Sequence, residues 1–283
     1  MRKPMEKSRL SIIAALAAVA AFAMLTSCSG KPSGPRVSIF AAHISTVAAQ
    51  EHISFAEAAA AVRAIGYEGA DVWVTQDEDQ LRILDSVGFA HSCCIAEIDY
   101  CSGADVSADE ERALEFMRTH GYDRILIVPG LYRGEDTPDV SVRLGEFAAR
   151  AAAEGLTVTV EDYDNPHSPC FDTGMLSGLF DAAPELMHNF DSGNYIIAGE
   201  DCLEAVRLFR DRIAHVHLKD RVSENDMSCP AIGSGCIPEA EAIAALADSG
   251  YDGWLTVEHF GHAHMLEAAE ESYRFISSCL AGK

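Results

Sequence analysis

The chain has 283 residues, 48% of them hydrophobic, and its 44 acidic residues against 21 basic ones leave a formal charge of −23 with histidine neutral. A surface this negative repels polyanions, which excludes nucleic acid as a partner and leaves charge unable to hold the protein to an anionic membrane.

The first predicted element is a leader. Arg2, Lys3, Lys7 and Arg9 form a basic head and residues 11–25 an alanine-rich apolar run, the order expected of a secretory signal peptide and too short and alanine-rich for a membrane span. The run ends in Leu25-Thr26-Ser27-Cys28, which resembles the lipobox of bacterial lipoproteins. That resemblance implies an exported, membrane-anchored lipoprotein facing the periplasm, with lipid on Cys28 as its one attachment to the membrane. Ser29 after that cysteine resembles the outer-membrane sorting pattern. Residues 1–27 are thus read as signal peptide, 28–35 as lipidated cysteine and flexible Ser/Gly/Pro tether, and 36–283 as one domain. The leader carries four positive charges and one negative, so its removal leaves 256 residues with a charge of about −26. That length is typical of a single β/α barrel. Of the nine cysteines, Cys229 and Cys236 could pair locally in an exported protein, and buried free thiols are the alternative.

From Arg36 onward short apolar runs alternate with amphipathic ones, the rhythm of βα units around a parallel sheet, and eight units can be counted. The predicted strands begin at Val37–Ala42, with Ser54 capping a helix over Phe55–Ile65, and continue at residues 70–74 and 90–95. Gly-Tyr pairs at Gly66, Gly121 and Gly250 end helices just before strands. Helices are expected over 108–119 and 142–153, with strands at Ile125–Val128 and Thr157–Glu161 after them. Further helices at 175–183, 202–210 and 237–247 precede strands ending at Asp191, at Asp220 and at Glu258. A last helix spans 265–280. The fold class expected is therefore α/β, a single (β/α)8 barrel.

Four strand ends carry the chemistry. Glu161, Asp191 and Glu258 each close an apolar run, and in Ala214-His-Val-His-Leu-Lys-Asp220 the alternation of a strand points His215, His217 and Lys219 to one face. Three carboxylates and an imidazole at the carboxyl ends of four strands suggest one metal at a barrel mouth. His215, one layer deeper, is read as a core histidine. The long non-periodic stretches 162–172 and 221–235 follow strands five and seven, where active-site loops belong.

Val-Glu161-Asp-Tyr-Asp-Asn, Phe-Asp191-Ser-Gly-Asn, His-Val-His217-Leu-Lys-Asp and Val-Glu258-His-Phe together resemble the sugar phosphate isomerase/epimerase family of xylose-isomerase-like barrels. The resemblance implies Glu161, Asp191, His217 and Glu258 as metal ligands, with Mn²⁺ or Mg²⁺ favoured and Co²⁺ or Zn²⁺ as options. It also implies Glu161 and Glu258 as the two proton-transfer groups on opposite faces of a keto-sugar. Two positions depart from the keto-sugar epimerases: Asn194 replaces a histidine and His167 a glutamate, which leaves the metal site intact and the substrate open. Phe260 matches an aromatic wall of that subgroup. Lys219, His43 and His91 complete the candidate substrate contacts, the two histidines placed near the mouths of strands one and three. Gly233-Ser234-Gly235 is read as a tight turn in preference to a phosphate cradle.

The expected function is a metal-dependent sugar isomerase or epimerase. A lyase or hydratase of a keto-sugar or 3-keto-glycoside is the alternative, and a non-catalytic carbohydrate-binding lipoprotein the third. The expected partner is a small carbohydrate, and a homo-oligomer is compatible with the sequence. An apurinic endonuclease, which the resemblance places in the same superfamily, needs more metal-binding histidines and a basic groove, and a charge of about −26 argues against it.

Overall fold

The computed structural model describes residues 34–133 and 139–282; the predicted leader, Cys28 and nearly all of the tether lie outside the described residues. Eight parallel strands close into a barrel in chain order. They are β1 Arg36–Phe40, β2 Gly69–Trp73, β3 Ala90–Glu97, β4 Arg124–Val128, β5 Thr157–Glu161, β6 Met187–Asp191, β7 Ile213–Leu218 and β8 Trp254–Val257. β8 pairs back onto β1, with Ser38 opposite Thr256. Between the strands run α1 Ala41–Glu51, α2 Phe55–Ile65, α3 Glu78–Val87, α4 Ser107–His120, α5 Val140–Ala153, α6 Thr173–Ala182, α7 Tyr195–Ala198, α8 Cys202–Phe209 and α9 Glu239–Asp248, and α10 Met265–Ala281 closes the ring.

Local chemistry accounts for most of these boundaries. Strands buried on both faces read as continuous apolar runs, as in Ile125–Val128. Ser54 and Glu57 form a reciprocal capping box at α2, and Asp77, Asp139, Asp172 and Asp201 cap α3, α5, α6 and α8 through their carboxylates. Two helices are not announced by the sequence. β1 stops at Phe40 and the chain turns at once into α1, whose N-cap position is held by Phe40 without a side-chain hydrogen bond. The four-residue α7 follows Asn194, which likewise gives no side-chain cap. β8 ends at Val257, so Glu258 is the first residue beyond it.

The main core lies between the barrel wall and the helices. Inside the barrel the two halves differ. β1, β3 and β4 fill their side with Phe40, Cys93, Ile95 and Leu126, packed against Trp73 and Val128. β5 to β7 present Glu161, Asp191 and His217, with Glu258 just past β8, all buried. Beneath them lies a buried polar layer that includes Asp71, Thr159, Asn189, His215 and Thr256.

The described cysteines, Cys229 and Cys236 included, are free thiols. Gly233-Ser234-Gly235 is a turn whose amides are already taken: Asp220 Oδ2 accepts from Gly233 and Gly235 N, and Oδ1 from Ile237 N. None of the described helices is long and apolar enough to cross a membrane.

Candidate metal centre

Strand register brings the four predicted ligands to one mouth. Asp191 lies opposite His217 across β6 and β7, His217 opposite Thr256 across β7 and β8, and Glu161 beside Asn189. One ligand atom from each of Glu161, Asp191, His217 and Glu258 lies within 4.8 Å of the others. This closeness needs an explanation, because three carboxylates at such range repel one another in a buried setting.

Hydrogen bonds fix the orientation of each group. Glu161 Oε2 accepts from Asn189 Nδ2 at 2.9 Å and lies 2.7 Å from His217 Nδ1, while Oε1 makes no hydrogen bond to the described residues. Asp191 Oδ1 accepts from Gly193 N at 2.8 Å. Its Oδ2 is buried without a hydrogen bond, although Lys219 Nζ stands 3.2 Å away, off the line of a bond. Lys219 Nζ also contacts Glu258 Oε1 and Asn194 Oδ1, the latter at 3.3 Å. A hydroxyl anchors the lysine's backbone: Ser192 Oγ accepts from Lys219 N and donates to the buried Glu239.

Charge is unevenly shared among these groups. Burial pushes Asp191 up to about 7; Lys219 opposes this and the carboxylates of Glu258 and Glu161 add to it. Burial acts the same way on Glu161, but the hydrogen bond and charge of His217, with Lys219 and Asn189, together outweigh it and hold the carboxyl below its usual range. Burial alone would depress His217, yet its bonds to Asp71 and Glu161 carry it well above an ordinary histidine. An acid that must protonate and an imidazole that must charge mark a site short of positive charge.

The residues present therefore fit a divalent cation. The donor set is three carboxylates and one imidazole, hard enough for Mn²⁺ or Mg²⁺ and acceptable to Co²⁺ or Zn²⁺, and Asp191 Oδ2 is buried without a hydrogen bond, its one neighbouring ammonium shared with Glu258. A second group, Asp71, Cys93 and His215, lies deeper in the barrel. Asp71 already takes bonds from Ser92, Thr256 and both histidines, and burial keeps the Cys93 thiol protonated, so this group is a packed hydrogen-bond cluster.

The site opens into a cavity of about 360 Å³. One side is apolar, with Phe40, Trp73, Ile95, Leu126, Val128 and Phe260; the other carries Glu161, His217, Lys219, Glu258 and Asn194. Lys219 is buried, not solvent-facing. Phe260, half exposed, packs edge-on against Phe40 with centroids 5.4 Å apart.

Three expected contacts lie elsewhere. His91 is the second residue of β3, at the barrel end away from the mouth, stacked on Tyr122 and bonded to Asp85. His167 is exposed on the loop after β5 and does not line the cavity. His43 sits on α1 behind the wall, its ring 4.6 Å from Phe260 and its Nε2 accepting from His259 N.

Arg221, Asp71 and Asn189 are the residues the sequence does not single out. Arg221 lines the cavity with its guanidinium spent on Gly193 O, Met227 O and Asn194 Oδ1, and 3.5 Å from Asp164. For Asp71 the available signal was a lone polar residue inside an otherwise apolar strand, whereas Asn189 stands between His188 and Asp191 and has no such contrast.

Comparison with known proteins bears on this geometry. An inosose dehydratase of Bacillus cereus is 37% identical over 92 residues, which cover 26% of this chain and 31% of that enzyme. The chain thus matches about three-tenths of the length of such curated relatives. Among solved structures, the probable 3-DHS dehydratase AsbF of Bacillus anthracis superposes with a TM-score of 0.71 at 17% identity, over 86% of this chain and 98% of that one. D-allulose 3-epimerase from Methylomonas sp. does so with 0.69 at 16%, over 88% and 99%. Residues 102–279, more than half of the chain, match the family described as xylose isomerase-like TIM barrel. With eight parallel strands closed in chain order, the chain belongs to the xylose isomerase-like TIM barrel family.

Proposed function

We propose that this barrel is a divalent-metal-dependent enzyme that removes the proton beside a carbonyl of an unphosphorylated carbohydrate and returns it, as an isomerase or epimerase. The observation that carries the reading is the convergence of Glu161, Asp191, His217 and Glu258 on one point, where Glu161, His217 and Glu258 line the cavity. A cation held by these four residues, Mn²⁺ or Mg²⁺ before Co²⁺ or Zn²⁺, supplies positive charge for the oxygen anion that forms as the proton leaves.

The chain's own groups do the rest. Glu161 has one oxygen held by Asn189 on the side facing His217 Nδ1, and its other oxygen takes the proton. The electron pair left on carbon moves onto the carbonyl oxygen. Its return, with a proton from Glu258 on the opposite face, restores the ketone with inverted configuration. Phe40, Trp73 and Phe260 offer a wall for the apolar face of a sugar ring or a hydrophobic substituent. The cavity's two cations are committed, Lys219 to Asp191 and Glu258 and Arg221 to carbonyls and Asn194, which supports an uncharged substrate over a phosphosugar.

Elimination is the second reading, and Lys219 favours it. An ammonium beside Glu258 can pass a proton to a hydroxyl departing from the next carbon, so that proton abstraction ends in loss of water. Relatives named as dehydratases and as epimerases support the two outcomes equally.

The test is proton exchange with solvent, followed by NMR on keto-sugars, cyclic keto-polyols and 3-keto-glycosides with and without Mn²⁺. Metal-dependent deuterium uptake beside the carbonyl is expected, lost in Glu161→Gln and Glu258→Gln, and product mass separates epimer from dehydrated product. Metal binding without exchange on any of these ketones would refute both readings and bring the carbohydrate-binding protein forward. We also propose, from the leader alone, an exported lipoprotein; fatty-acid labelling that persists in Cys28→Ala would overturn it.

A further inference from the structure

We infer that Asp71, on β2, is the positioning residue that decides which ring nitrogen His217 turns to the metal centre. The inference rests on His217 being a ligand, as proposed above. Asp71 is 1% exposed and lies beneath the site. Its Oδ2 accepts from His217 Nε2 at 3.2 Å and from His215 Nε2 at 2.8 Å. Its Oδ1 accepts from Thr256 Oγ1 at 3.1 Å and from Ser92 Oγ.

An ionised carboxylate only accepts, so each of these four neighbours must present a hydrogen to it. That requirement places a proton on Nε2 of His217. The other nitrogen, Nδ1, is the one beside the other ligands, 2.7 Å from Glu161 Oε2 and 3.6 Å from Glu258 Oε2, so a cation on these carboxylates takes the place of the hydrogen that Nδ1 gives Glu161 in its absence. Without Asp71 nothing else holds Nε2, and the proton is free to sit on Nδ1, where it blocks the lone pair a cation needs. A carboxylate behind a ligating imidazole also makes it the more basic donor. Ser92 and His215, by contrast, touch Asp71 but not the metal-side atoms, so they tighten the layer without choosing the tautomer.

The experiment compares Mn²⁺ affinity by calorimetry in the full folded domain and in Asp71→Ala, Asp71→Asn, Ser92→Ala and His217→Ala. Asp71→Ala is expected to bind Mn²⁺ on the order of 10- to 100-fold more weakly. Asp71→Asn, which keeps an acceptor when its amide oxygen faces the imidazoles, should recover part of that loss. Ser92→Ala should stay within about 3-fold of the parent. A folded Asp71→Ala with parental affinity, or a Ser92→Ala that loses as much, overturns the inference. Should Asp71→Ala not fold, side-chain ¹⁵N correlation spectra of the unaltered protein with Mg²⁺ decide it: His217 must carry its proton on Nε2. If the parent binds no metal, or His217→Ala binds as the parent does, it is the metal-centre reading that fails and the inference with it, whereas binding through His217 that is untouched in a folded Asp71→Ala overturns the inference alone.

Discussion

Replacing Lys219 by methionine tests whether the ammonium and a divalent cation serve the same carboxylates. Lys219 is 8% exposed, with Nζ 3.2 Å from Asp191 Oδ2 and in contact with Glu258 Oε1. At an effective dielectric of about 20 one such pair attracts by about 5 kcal/mol, before the cost of burying the charges is set against it. Breaking a buried pair while its partner stays costs about 3–5 kcal/mol, and Asp191 can recover part of that by taking a proton. For the metal-free variant the lower end is expected at neutral pH, a fall in Tm on the order of 10 °C. In saturating Mn²⁺ the deficit should shrink to about 1 kcal/mol or less, because the ion supplies the countercharge that the ammonium gave. Calorimetric melts of both proteins, metal-free and loaded, are the assay. An equal deficit in both states would refute the idea that lysine and metal share ligands, and would leave Lys219 as an ordinary packing residue.

Two further outcomes follow from the same geometry. Metal-free stability should peak near pH 6.5. Burial-raised acids such as Asp191, Asp162 and Glu239 bind protons more tightly folded than unfolded, so their stabilisation fades from the unfolded value of about 4 up through the folded values, and the raised His217 joins that loss above about pH 6.5. Below it, burial holds His43, His188, His259 and His215 under 6.5 and neutral, so stability falls as they are forced to charge. Melts in a pH series should trace that dome, and a curve that keeps rising to pH 9 would sink it. Gly193→Ala places a Cβ 2.0 Å from the Lys219 carbonyl oxygen, so the mouths of β6 and β7 must part. A loss of about 1–3 kcal/mol is expected, with weaker Mn²⁺ binding because the Gly193 amide holds Asp191; an unchanged Tm would contradict the close approach.

How far the site could be read in advance depends on whether its parts share a strand. In His215-Val-His-Leu-Lys219 the alternation of a strand alone puts His215, His217 and Lys219 on one face, and the acids ending β5 and β6, with the one just past β8, need only parallel strands in register to meet them. The barrel was legible for the same reason: eight apolar runs at helical spacing admit few closed arrangements. What escaped depends on contacts across the barrel or on loop paths. His91 belongs at the far end of the barrel even on the strand predicted at 90–95, where it is the second residue, and β3 running on to Glu97 takes the mouth further from it. His167 lies where a loop turns outward, which local residues do not fix. Asp71 reads as one polar residue in Gly-Ala-Asp-Val-Trp, and its partners Ser92, Thr256, His215 and His217 come from three other strands. An acid in the middle of a strand buried on both faces is nonetheless a signal. A lone carboxylate there costs too much to be left unpaired, so such a residue implies donors from across the barrel. Here the strand carrying two of those donors, β7, is one of those that end at the metal centre.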